Sequence, residues 1–445
     1  MTTHYDAIIV GARVAGAATA LDLARRGFRV LLVDKANFPS DTISTHLVKP
    51  RAIYYLDRWG LRPALLAAAT DFRTEFSFTC EGFTVRGHAT GEALRATLAR
   101  EHGWEELRIP NGPIEWACIR RTVLDTTLVE AAAAAGVEVR QEFSVSSVLR
   151  DERGKVIGVH GGDDSVTERA SIVIGADGRH SRIAREVQAA PLRESLDCGY
   201  TYYAYYDDLS LSGLDIGVHL RGRLGLGFCP TNHGQAMISV WGPQAWASDF
   251  RGDLEANFLR SVRWCYPELA ERVSRGRREG KLFGILDQPN RVLQQRGPGW
   301  VLVGDAGYHL DQCTAIGITH ALRSAVWLSD ALADGLSGRR PLDETTAVYE
   351  RRVLDSIGGY FDYVSRLARM ESPRPEVVGM FEVLSRSPAL ARRFYDFSAS
   401  LLSYEDFYGP EGQAMIRAEG GLPAPSTLAA YRARMPTYEA NPWAA

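Results

Sequence analysis

A hexapeptide that begins and ends with glycine contains the first residues that could do chemistry. It follows one apolar run, and Asp34 and Lys35 come directly after the next apolar run. Glycine allows the tight turn that brings backbone N–H groups and a helix N-terminus onto a pyrophosphate, and a carboxylate about 20 residues further on accepts hydrogen bonds from a ribose. The pattern therefore predicts a dinucleotide site. Its turn residues are Gly11, Ala12, Arg13, Val14, Ala15 and Gly16.

Arg13 stands where this pattern usually has its second glycine. Its side chain must either point away from the phosphates or donate hydrogen bonds to them. A degenerate glycine pattern is a weak signal by itself, and an ordinary strand-to-helix turn is the alternative. The position of the hexapeptide, directly after one apolar run and before a helical pattern, favours the dinucleotide interpretation.

Two further glycine–aspartate pairs each follow a buried apolar run. The first is the segment 175–178, which contains Asp177, and the second is Gly304-Asp305. After the second pair, a helix is expected to start near Gly317 and Ile318. An aspartate at a strand end suits a ribose or ribityl hydroxyl, and a helix N-terminus favours developing negative charge. Each pair alone is common turn chemistry, so the prediction depends on all three motifs occurring in this order.

The elements that must position these motifs alternate between strand and helix. Short Ile- and Val-rich runs predict buried parallel strands, and longer segments with helical spacing that end at glycine predict helices. Such a βαβ beginning implies a right-handed crossover. The predicted strands are 5–10, 29–33, 170–174 and 300–303, and the predicted helices are 17–26, 121–135 and 316–333.

The fold class that follows is α/β, with a Rossmann-like domain, a second domain built on an antiparallel sheet that binds the substrate, and a helical C-terminal region. The second sheet is predicted from alternating stretches that are rich in Tyr, Phe and Trp. The expected boundaries are 1–70, 100–190 and 290–340 for the Rossmann-like domain, 71–99 and 191–289 for the substrate domain, and 341–445 for the helical region.

Together the three motifs resemble the FAD-dependent oxidoreductases of the para-hydroxybenzoate hydroxylase fold, which include the group A flavin monooxygenases and the geranylgeranyl reductases. The resemblance covers roughly residues 5–340 and implies non-covalently bound FAD. It assigns the ADP half of FAD to the glycine turn with Asp34 and Lys35, and one FAD contact to Arg121, with Arg120 as the alternative. It assigns Asp177 to FAD and NAD(P)H together, Gly304 and Asp305 to the ribityl chain, and Gly317 and Ile318 to the pyrimidine end of the flavin.

The chain departs from the common form of that family after Gly304-Asp305. Gln312 stands where the family has a proline near the reactive edge of the flavin, and Ala315 replaces the first glycine of a Gly-x-Gly pair. This departure favours a reductase over an enzyme that activates oxygen in the usual geometry. A Trp-x-Trp-x-Ile-Pro motif is also lacking, so halogenation is not expected.

Two segments are expected to approach the flavin ring and the substrate. In related oxidoreductases the loop at 38–46 passes the flavin, so Thr45 could bind its edge and His46 could act as a proton shuttle near neutral pH. The alternative is that this loop merely caps the next helix. In the aromatic run at 198–206, Tyr202 and Tyr206 are expected to share a face that stacks on the substrate, unless that face is half-buried sheet packing.

Composition limits the remaining possibilities. The chain has 445 residues, 45% hydrophobic and 24% charged, with a formal net charge of −3. These values are typical of a globular protein without nucleic-acid partners. Six cysteines without a Cys-x-x-Cys pair give no reason to expect a metal site. Apolar runs too short to span a bilayer and the absence of a signal-peptide pattern lead us to expect a cytoplasmic monomer or homodimer.

The resemblance implies an NAD(P)H-consuming monooxygenase, of the kind used in secondary metabolism, that transfers one atom of O2 to an electron-rich aromatic or polycyclic molecule. The alternative is a reductase or dehydrogenase that acts on a C=C bond on the same fold. A flavin-binding accessory protein without catalysis is the third hypothesis. No second glycine-rich turn follows residue 340, so NAD(P)H is expected to dock transiently near Asp177.

Overall fold

The structure, a computed structural model, describes residues 4–104, 108–162, 165–214 and 216–443. Residues 1–3 of the predicted Rossmann-like domain and residues 444–445 of the predicted helical region therefore lie outside the described residues. The same holds for 105–107 and 163–164 of the predicted Rossmann-like domain and for residue 215 of the predicted substrate domain.

The strands, in chain order, are β1 (His4–Val10), β2 (Val30–Val33), β3 (Leu47–Val48), β4 (Phe72–Arg73), β5 (Phe76–Cys80), β6 (Phe83–Gly87), β7 (Trp116–Cys118), β8 (Glu138–Arg140), β9 (Val145–Arg150), β10 (Val156–Gly161), β11 (Val166–Gly175), β12 (Pro191–Ser195), β13 (Gly199–Asp207), β14 (Ile216–Arg221), β15 (Leu224–Pro230), β16 (Ala236–Pro243), β17 (Arg277–Ile285), β18 (Asn290–Leu293), β19 (Arg296–Gly297), β20 (Trp300–Leu302) and β21 (Tyr308–His309).

The α-helices, in chain order, are α1 (Val14–Arg25), α2 (Pro50–Arg58), α3 (Arg62–Ala67), α4 (Gly91–His102), α5 (Arg121–Ala134), α6 (Arg182–Glu186), α7 (Ala247–Gly252), α8 (Leu254–Cys265), α9 (Pro267–Arg275), α10 (Gly317–Leu336), α11 (Leu342–Ala368), α12 (Pro375–Leu384), α13 (Pro388–Ser398), α14 (Tyr404–Tyr408), α15 (Pro410–Gly420) and α16 (Pro425–Glu439).

The first sheet has the strand order β19-β20-β11-β1-β2-β8, and the pairings from β20 to β8 are all parallel. Strands β9 and β10 extend β11 as an antiparallel hairpin. Helix α1 packs against α5 and α10 on one face of this sheet. Parallel strands that are covered on both faces need apolar residues at every position, which explains the Ile and Val runs of β1 and β2. The α/β class predicted from the sequence is confirmed.

The carboxyl ends of β1 and β11 meet at a close backbone approach. Gly11 has φ +104°, and a Cβ atom at this position would lie 2.5 Å from the carbonyl oxygen of Ala176. A Cβ at Gly16 would lie 1.8 Å from the carbonyl oxygen of Gly11. Both glycines are therefore required by packing, and this packing directs the N-terminus of α1 toward the ends of the parallel strands.

The second sheet has the order β17-β13-β16-β15-β14-β5-β6 and is antiparallel except for the pair β14–β5. One face packs against helices α7, α8 and α9 and forms a separate apolar core. The other face joins the main core that it shares with the first sheet. The strands come from the two segments predicted for the substrate domain, 71–99 and 191–289.

The C-terminal helices cover the outer edge of the second sheet. Helices α12 and α13 pack on β6, and α11 packs on α10. The Tyr395 hydroxyl donates to the carbonyl of Val85 at 2.7 Å, and the Tyr431 hydroxyl donates to the carbonyl of Pro373 at 2.5 Å. None of the helices in the described part of the chain has the length and apolar character needed to cross a bilayer.

One predicted boundary differs from the structure, and one segment divides into two strands. Helix α1 begins at Val14 rather than at Ala17, because Gly16 packs against Gly11 from inside the first turn. The segment 137–149 divides into β8 and β9. The division occurs at Glu142, whose φ of +56° breaks the extended conformation, and the Phe143 amide then donates to the backbone carbonyl of Asp34 at 2.8 Å.

We predict that Phe250→Ala lowers the free energy of unfolding by about 3–5 kcal/mol, because it opens a cavity in the core beneath the second sheet. The Phe250 ring is fully buried and lies 4.7 Å from the Tyr200 ring and 5.2 Å from the Tyr202 ring, between centroids. Chemical denaturation measures the loss. Leu196→Ala is the control, since that side chain is 73% exposed and its removal should cost less than about 0.5 kcal/mol. Equal losses in the two variants would contradict this account.

Candidate active site

The glycine turn presents an N-terminus of α1 that lacks a side-chain cap. Arg13 occupies the N-cap position in extended backbone and makes no capping hydrogen bond to the helix. The Asp34 carboxylate is fixed by two backbone amides, with Ala12 N at 2.6 Å and Ala36 N at 2.8 Å. A carboxylate has about four acceptor positions, so this carboxylate retains capacity for ribose hydroxyls. The uncapped amides of α1 remain available for a phosphate.

Arg13 and Arg121 share one buried carboxylate. Arg13 Nη1 donates to Asp125 Oδ2 at 2.8 Å, and Arg121 donates to Asp125 Oδ1 through Nε at 3.0 Å and through Nη2 at 2.9 Å. Arg13 also donates to Ser40 Oγ at 3.0 Å. Within this cluster of three side chains, the two guanidiniums exceed the one carboxylate by one positive charge, which complements a pyrophosphate. Direct contact of Arg121 with FAD stays a prediction.

Arg120 points to the other domain. Its Nη1 donates to Gln235 Oε1 at 2.7 Å and to Glu279 Oε2 at 2.9 Å, and its guanidinium lies 4.0 Å from the centroid of the Tyr205 ring. Its backbone amide donates to Asn232 Oδ1 at 2.8 Å. Arg120 therefore joins the start of α5 to the second sheet, which is a structural role rather than an FAD contact.

The two strand-end aspartates differ in how their carboxylates are used. Asp177 accepts from Ser181 Oγ at 2.5 Å and from Arg182 N at 2.6 Å, so it fixes the start of α6. Burial raises the pKa of Asp177, and these hydrogen bonds oppose that rise. Asp305 is exposed, and no hydrogen-bond partner for it occurs among the described residues. The geometry therefore supports the expected role of Asp305 at a ligand hydroxyl and assigns Asp177 first to the α6 turn.

A second uncapped helix N-terminus belongs to α10. Its N-cap residue, Ile316, makes no side-chain hydrogen bond, and the left-handed backbone of Ala315 (φ +48°) turns the chain into the helix. Gly317 is exposed, and a Cβ at this position would meet nothing within 4 Å. The free N–H groups of Gly317 and Ile318 and the dipole of a 20-residue helix favour negative charge at this point.

These features fit FAD. The uncapped N-terminus of α1 and the net positive charge at Arg13 suit its pyrophosphate, Asp34 suits the adenosine ribose, and Asp305 suits the ribityl hydroxyls. The N-terminus of α10 suits the electron-rich pyrimidine end of a flavin. Gly304 has φ +60°, and a Cβ there would lie 2.7 Å from the Cβ of Ala15, so the turn after β20 packs directly on α1.

A cavity of about 80 Å³ lies against the second sheet, beside β3, β7 and the segment 312–315, and is named here the substrate pocket. Its walls are mostly apolar and include the side chains of Phe76, Tyr203 and Trp241. The Trp241 ring lies flat over Gly225, where a Cβ would come within 2.1 Å of the ring. The remaining lining residues are Ser44, Thr45, Leu47, Cys118, Thr201, Ile216, Gly217, Val218, Gly227, Phe228, Cys229, Met237, Ser239, Gln312, Cys313, Ala315 and Met370.

The expectation that Tyr202 and Tyr206 face the substrate is wrong. The two side chains do share a face of β13, as the alternation predicts, but this face packs against α7, α8 and α9 in the second core. Tyr203 and Tyr205 lie on the opposite face, in the main core, and Tyr203 lines the substrate pocket. The reason is that every residue from Gly199 to Tyr206 is buried, so β13 has no solvent face that would distinguish the two sides.

His46 is held as a neutral imidazole. Its Nδ1 lies 2.7 Å from the Ser44 carbonyl and donates to it, which leaves Nε2 to accept from the Tyr205 hydroxyl. Burial lowers the pKa of His46 to about 3, and the charges of Arg121 and Arg120 act in the same direction. The expectation of a proton shuttle near neutral pH is therefore contradicted. Thr45, next to it, lines the substrate pocket, and its contact with the flavin stays a prediction.

Several site residues were missed by sequence reasoning. The spacing of Arg121 and Asp125 on one helical face is a signal that could have identified their ion pair. Tyr203 could have been found only by knowing which face of β13 meets the first sheet. Met370 reaches the pocket from beyond α11, and no local pattern in the sequence indicates this contact.

Residues 4–353 match the family described as FAD binding domain. The chain belongs to this FAD-binding family. It is an FAD-dependent oxidoreductase, as the strand-end motifs predicted, and the expectation of FAD as cofactor is confirmed at this level.

Relatives of this FAD-dependent oxidoreductase cover most of its length. The menaquinone reductase of Mycolicibacterium smegmatis is 27% identical over 75% of this chain and 78% of that protein. The digeranylgeranylglycerophospholipid reductase of Methanocella arvoryzae is 23% identical over 81% of this chain and 86% of that protein. A flavoprotein/dehydrogenase crystal structure from Cytophaga hutchinsonii has a TM-score of 0.75 at 18% identity and covers 93% of this chain and 98% of its own, which shows a shared fold.

We predict that Asp305→Ala and Asp311→Ala fail in different ways. Asp305→Ala should raise the Kd for FAD by about tenfold or more, the loss expected for a hydrogen bond to a charged group. Asp311 is buried and accepts from Gly199 N at 3.3 Å and from Cys313 N at 2.8 Å. Asp311→Ala should therefore lower the free energy of unfolding of the apoprotein by about 1–3 kcal/mol. FAD titration and denaturation of the apoprotein measure the two effects, and a reversed pattern would refute the assignment.

The pKa of His46 predicts a pH-dependent stability. The unfolded chain protonates this imidazole near pH 6.5, whereas the folded chain does so only near pH 3, so acid favours unfolding. From pH 7.5 to pH 5 the wild type should lose about 2 kcal/mol more than His46→Gln. Denaturation curves at the two pH values measure this difference. Between pH 7.5 and 8.5 the two proteins should change equally, and a wild-type stability that did not fall faster in acid would contradict the neutral assignment.

Proposed function

We propose that the chain is an NAD(P)H-consuming monooxygenase that inserts one atom of O2 into an uncharged, electron-rich ring compound, with FAD bound non-covalently. The observation that carries this proposal is the substrate pocket, whose walls are apolar and aromatic. FAD, when bound, supplies the redox and oxygen chemistry. The residues of the chain supply binding, orientation and exclusion of water.

The lining of the pocket favours a neutral ring. Among the described lining residues there is no Asp, Glu, His, Lys or Arg. Burial raises the pKa of the Cys118 and Cys313 thiols well above the usual range, so both stay uncharged. Phe76 and Trp241 offer ring faces for stacking, and each aromatic pair contributes about 0.5–1.5 kcal/mol beyond area burial. A charged substrate would lose its hydration in this pocket without a compensating partner.

Tyr203 supplies the polar group that would orient such a ring. Its hydroxyl is buried and has no hydrogen bond of good geometry among the described residues, although the Tyr205 side chain and the Ser44 backbone lie close enough to lower its pKa. Burial, with the Asp41 charge in second place, raises the pKa of Tyr203 to about 12, so the phenol stays protonated and can donate. An unsatisfied buried hydroxyl costs about 1–3 kcal/mol, and a substrate oxygen that accepts this hydrogen bond would remove that cost.

NAD(P)H is proposed to dock transiently rather than in a domain of its own. The described part of the chain from α11 to α16 contains no strand that is followed by a glycine-rich turn. The exposed Arg182 and Arg185 lie in the helix that Asp177 starts, and positive charge there would attract the phosphates of the nucleotide. The proposed docking region is therefore the one expected from the sequence, near Asp177. The Asp177 carboxylate itself accepts hydrogen bonds that fix the start of α6.

A reductase of a C=C bond is the second candidate, favoured by Gln312. This residue replaces the proline expected beside the reactive edge of the flavin, and its buried Nε2 has no hydrogen-bond partner among the described residues. Two relatives that cover most of the chain carry the names of reductases. In this reaction the protonated Tyr203 hydroxyl would deliver a proton to the substrate, so the same residue serves either chemistry.

Turnover with labelled oxygen separates the two reactions. Once a substrate has been identified by screening neutral ring compounds, the monooxygenase proposal expects product that contains one atom from ¹⁸O2 and no turnover without oxygen. Tyr203→Phe should reduce kcat/KM about tenfold or more while FAD content is unchanged, because one hydrogen bond to the substrate is lost. Tyr202→Phe, on the other face of the same strand, is the matched control and should leave kcat/KM unchanged. Equal turnover under argon would replace this proposal with the reductase.

A further inference from the structure

A second cavity, of about 170 Å³, shares no lining residue with the substrate pocket. It lies between α2, α10, α11 and the segment 400–405, and it is named here the basic cavity. The groups that define it are Arg51 from α2, Arg323 and His320 from α10, Glu101 from α4 and Ser356 from α11. The proposed reaction does not use this cavity.

Two buried guanidiniums face the basic cavity with unused donors. Arg51 is 1% exposed, with Nη1 on Glu101 at 3.0 Å and Nη2 on the Ser400 carbonyl at 2.7 Å. Arg323 is 8% exposed, and its Nη2 lies 3.3 Å from Ser356 Oγ. The Nε atoms of both arginines are buried without a partner in the described structure. Within the same residues, no carboxylate forms a salt bridge with Arg323.

The interior of the basic cavity has an excess of positive charge. Glu101 offsets only one of the two guanidiniums, and both of them lower its pKa against the effect of burial. Burial and the neighbouring Arg51 charge lower the pKa of Arg323. Burial, with the charges of Arg323, Lys49 and Arg51, holds the pKa of His320 well below its usual range, so its imidazole is neutral. A buried cation without a counter-charge is costly, and bound anions are the usual compensation.

The wall formed by α11 contains two consecutive glycines, and the side chains of Tyr404 and Glu405 lie against the second of them, Gly359. Helix α11 is interrupted at Gly358, which has φ +30° and ψ −131° and is exposed. Gly358 and Gly359 both line the basic cavity, together with the hydroxyls of Ser356 and Ser403. A kink of this kind inside a long helix departs from the regular hydrogen-bond ladder and gives a ligand access to the backbone. The rim of the cavity carries the exposed Arg100, Asp355 and Glu405.

We propose that the basic cavity binds a phosphate group, either as the free ion or as part of a phosphate ester. Guanidinium donors match the oxygen atoms of phosphate, and two guanidiniums whose Nε groups are unpaired suit a ligand with several acceptor oxygens. A bound phosphate would neutralise the excess charge and give the unpaired Nε groups their missing acceptors.

The test uses the FAD-saturated protein, so that the pyrophosphate site of the glycine turn is already filled. Thermal unfolding is followed while inorganic phosphate replaces chloride at constant ionic strength. Phosphate should raise the Tm of the wild type, because a ligand that binds only the folded state stabilises it. In Arg323→Gln the apparent Kd for phosphate should increase about tenfold or more, which corresponds to the loss of one charge-assisted hydrogen bond.

The matched control is Arg339→Gln, an exposed arginine on the loop after α10 whose partner is Asp334 at 2.6 Å. This variant should keep the wild-type response to phosphate. An equal response in wild type and Arg323→Gln, or no response in the wild type, would overturn the proposal. Glycerol 1-phosphate forms the second arm: a lower Kd than that of inorganic phosphate identifies the ligand as an ester, and a higher one identifies it as the free ion.

A measurement on the wild type removes any dependence on how the variants fold. Crystals of the FAD-bound protein are soaked in arsenate, and an anomalous difference map locates the arsenic. The proposal expects a peak within hydrogen-bonding distance of both Arg51 and Arg323. A map without density between these two guanidiniums, at an arsenate concentration that saturates the thermal response, would refute the site.

Discussion

The rest of the structure depends on one backbone contact, the approach of Gly11 to Ala176. A single added carbon at Gly11 would lie 2.5 Å from the carbonyl oxygen of Ala176, so the two strand ends can converge only if no side chain stands between them. Because they converge, α1 starts beside the ends of β11 and β20, and the turn at Gly304 packs on Ala15. The three strand-end motifs, far apart in sequence, thereby surround one extended site.

Much of this arrangement could be predicted from the sequence because it follows from parallel strands. Such strands place their carboxyl ends at one edge of the sheet, so glycine and aspartate residues after three apolar runs must lie near one another. What each carboxylate does could not be predicted. Asp177 and Asp305 occupy equivalent places after β11 and β20, yet Ser181 and the amide of Arg182 use the first, whereas the second remains exposed.

The substrate side shows a different limit of sequence reasoning. Alternation along β13 correctly separates Tyr202 and Tyr206 from Tyr203 and Tyr205, but it does not say which pair meets the first sheet. A strand with one solvated face would show the difference in polarity, whereas β13 is covered on both faces and carries tyrosine on each. The assignment depends on contacts of β13 with Phe250 of α7 on one face and with His46 on the other, which are set by the tertiary fold alone.

Helix α10 joins the expected flavin end of the site to the basic cavity. Its uncapped N-terminus begins at Gly317, and Arg323 lies six residues later, a rise of about 9 Å along the helix. The positive ends of the peptide dipoles and the Arg323 charge therefore act on the same region, and both favour negative charge near the start of the helix. An anion in the basic cavity would offset the guanidinium part of this field and leave the dipole part unchanged. The electrostatic environment at Gly317 thus depends on what occupies a cavity that shares no lining residue with the substrate pocket.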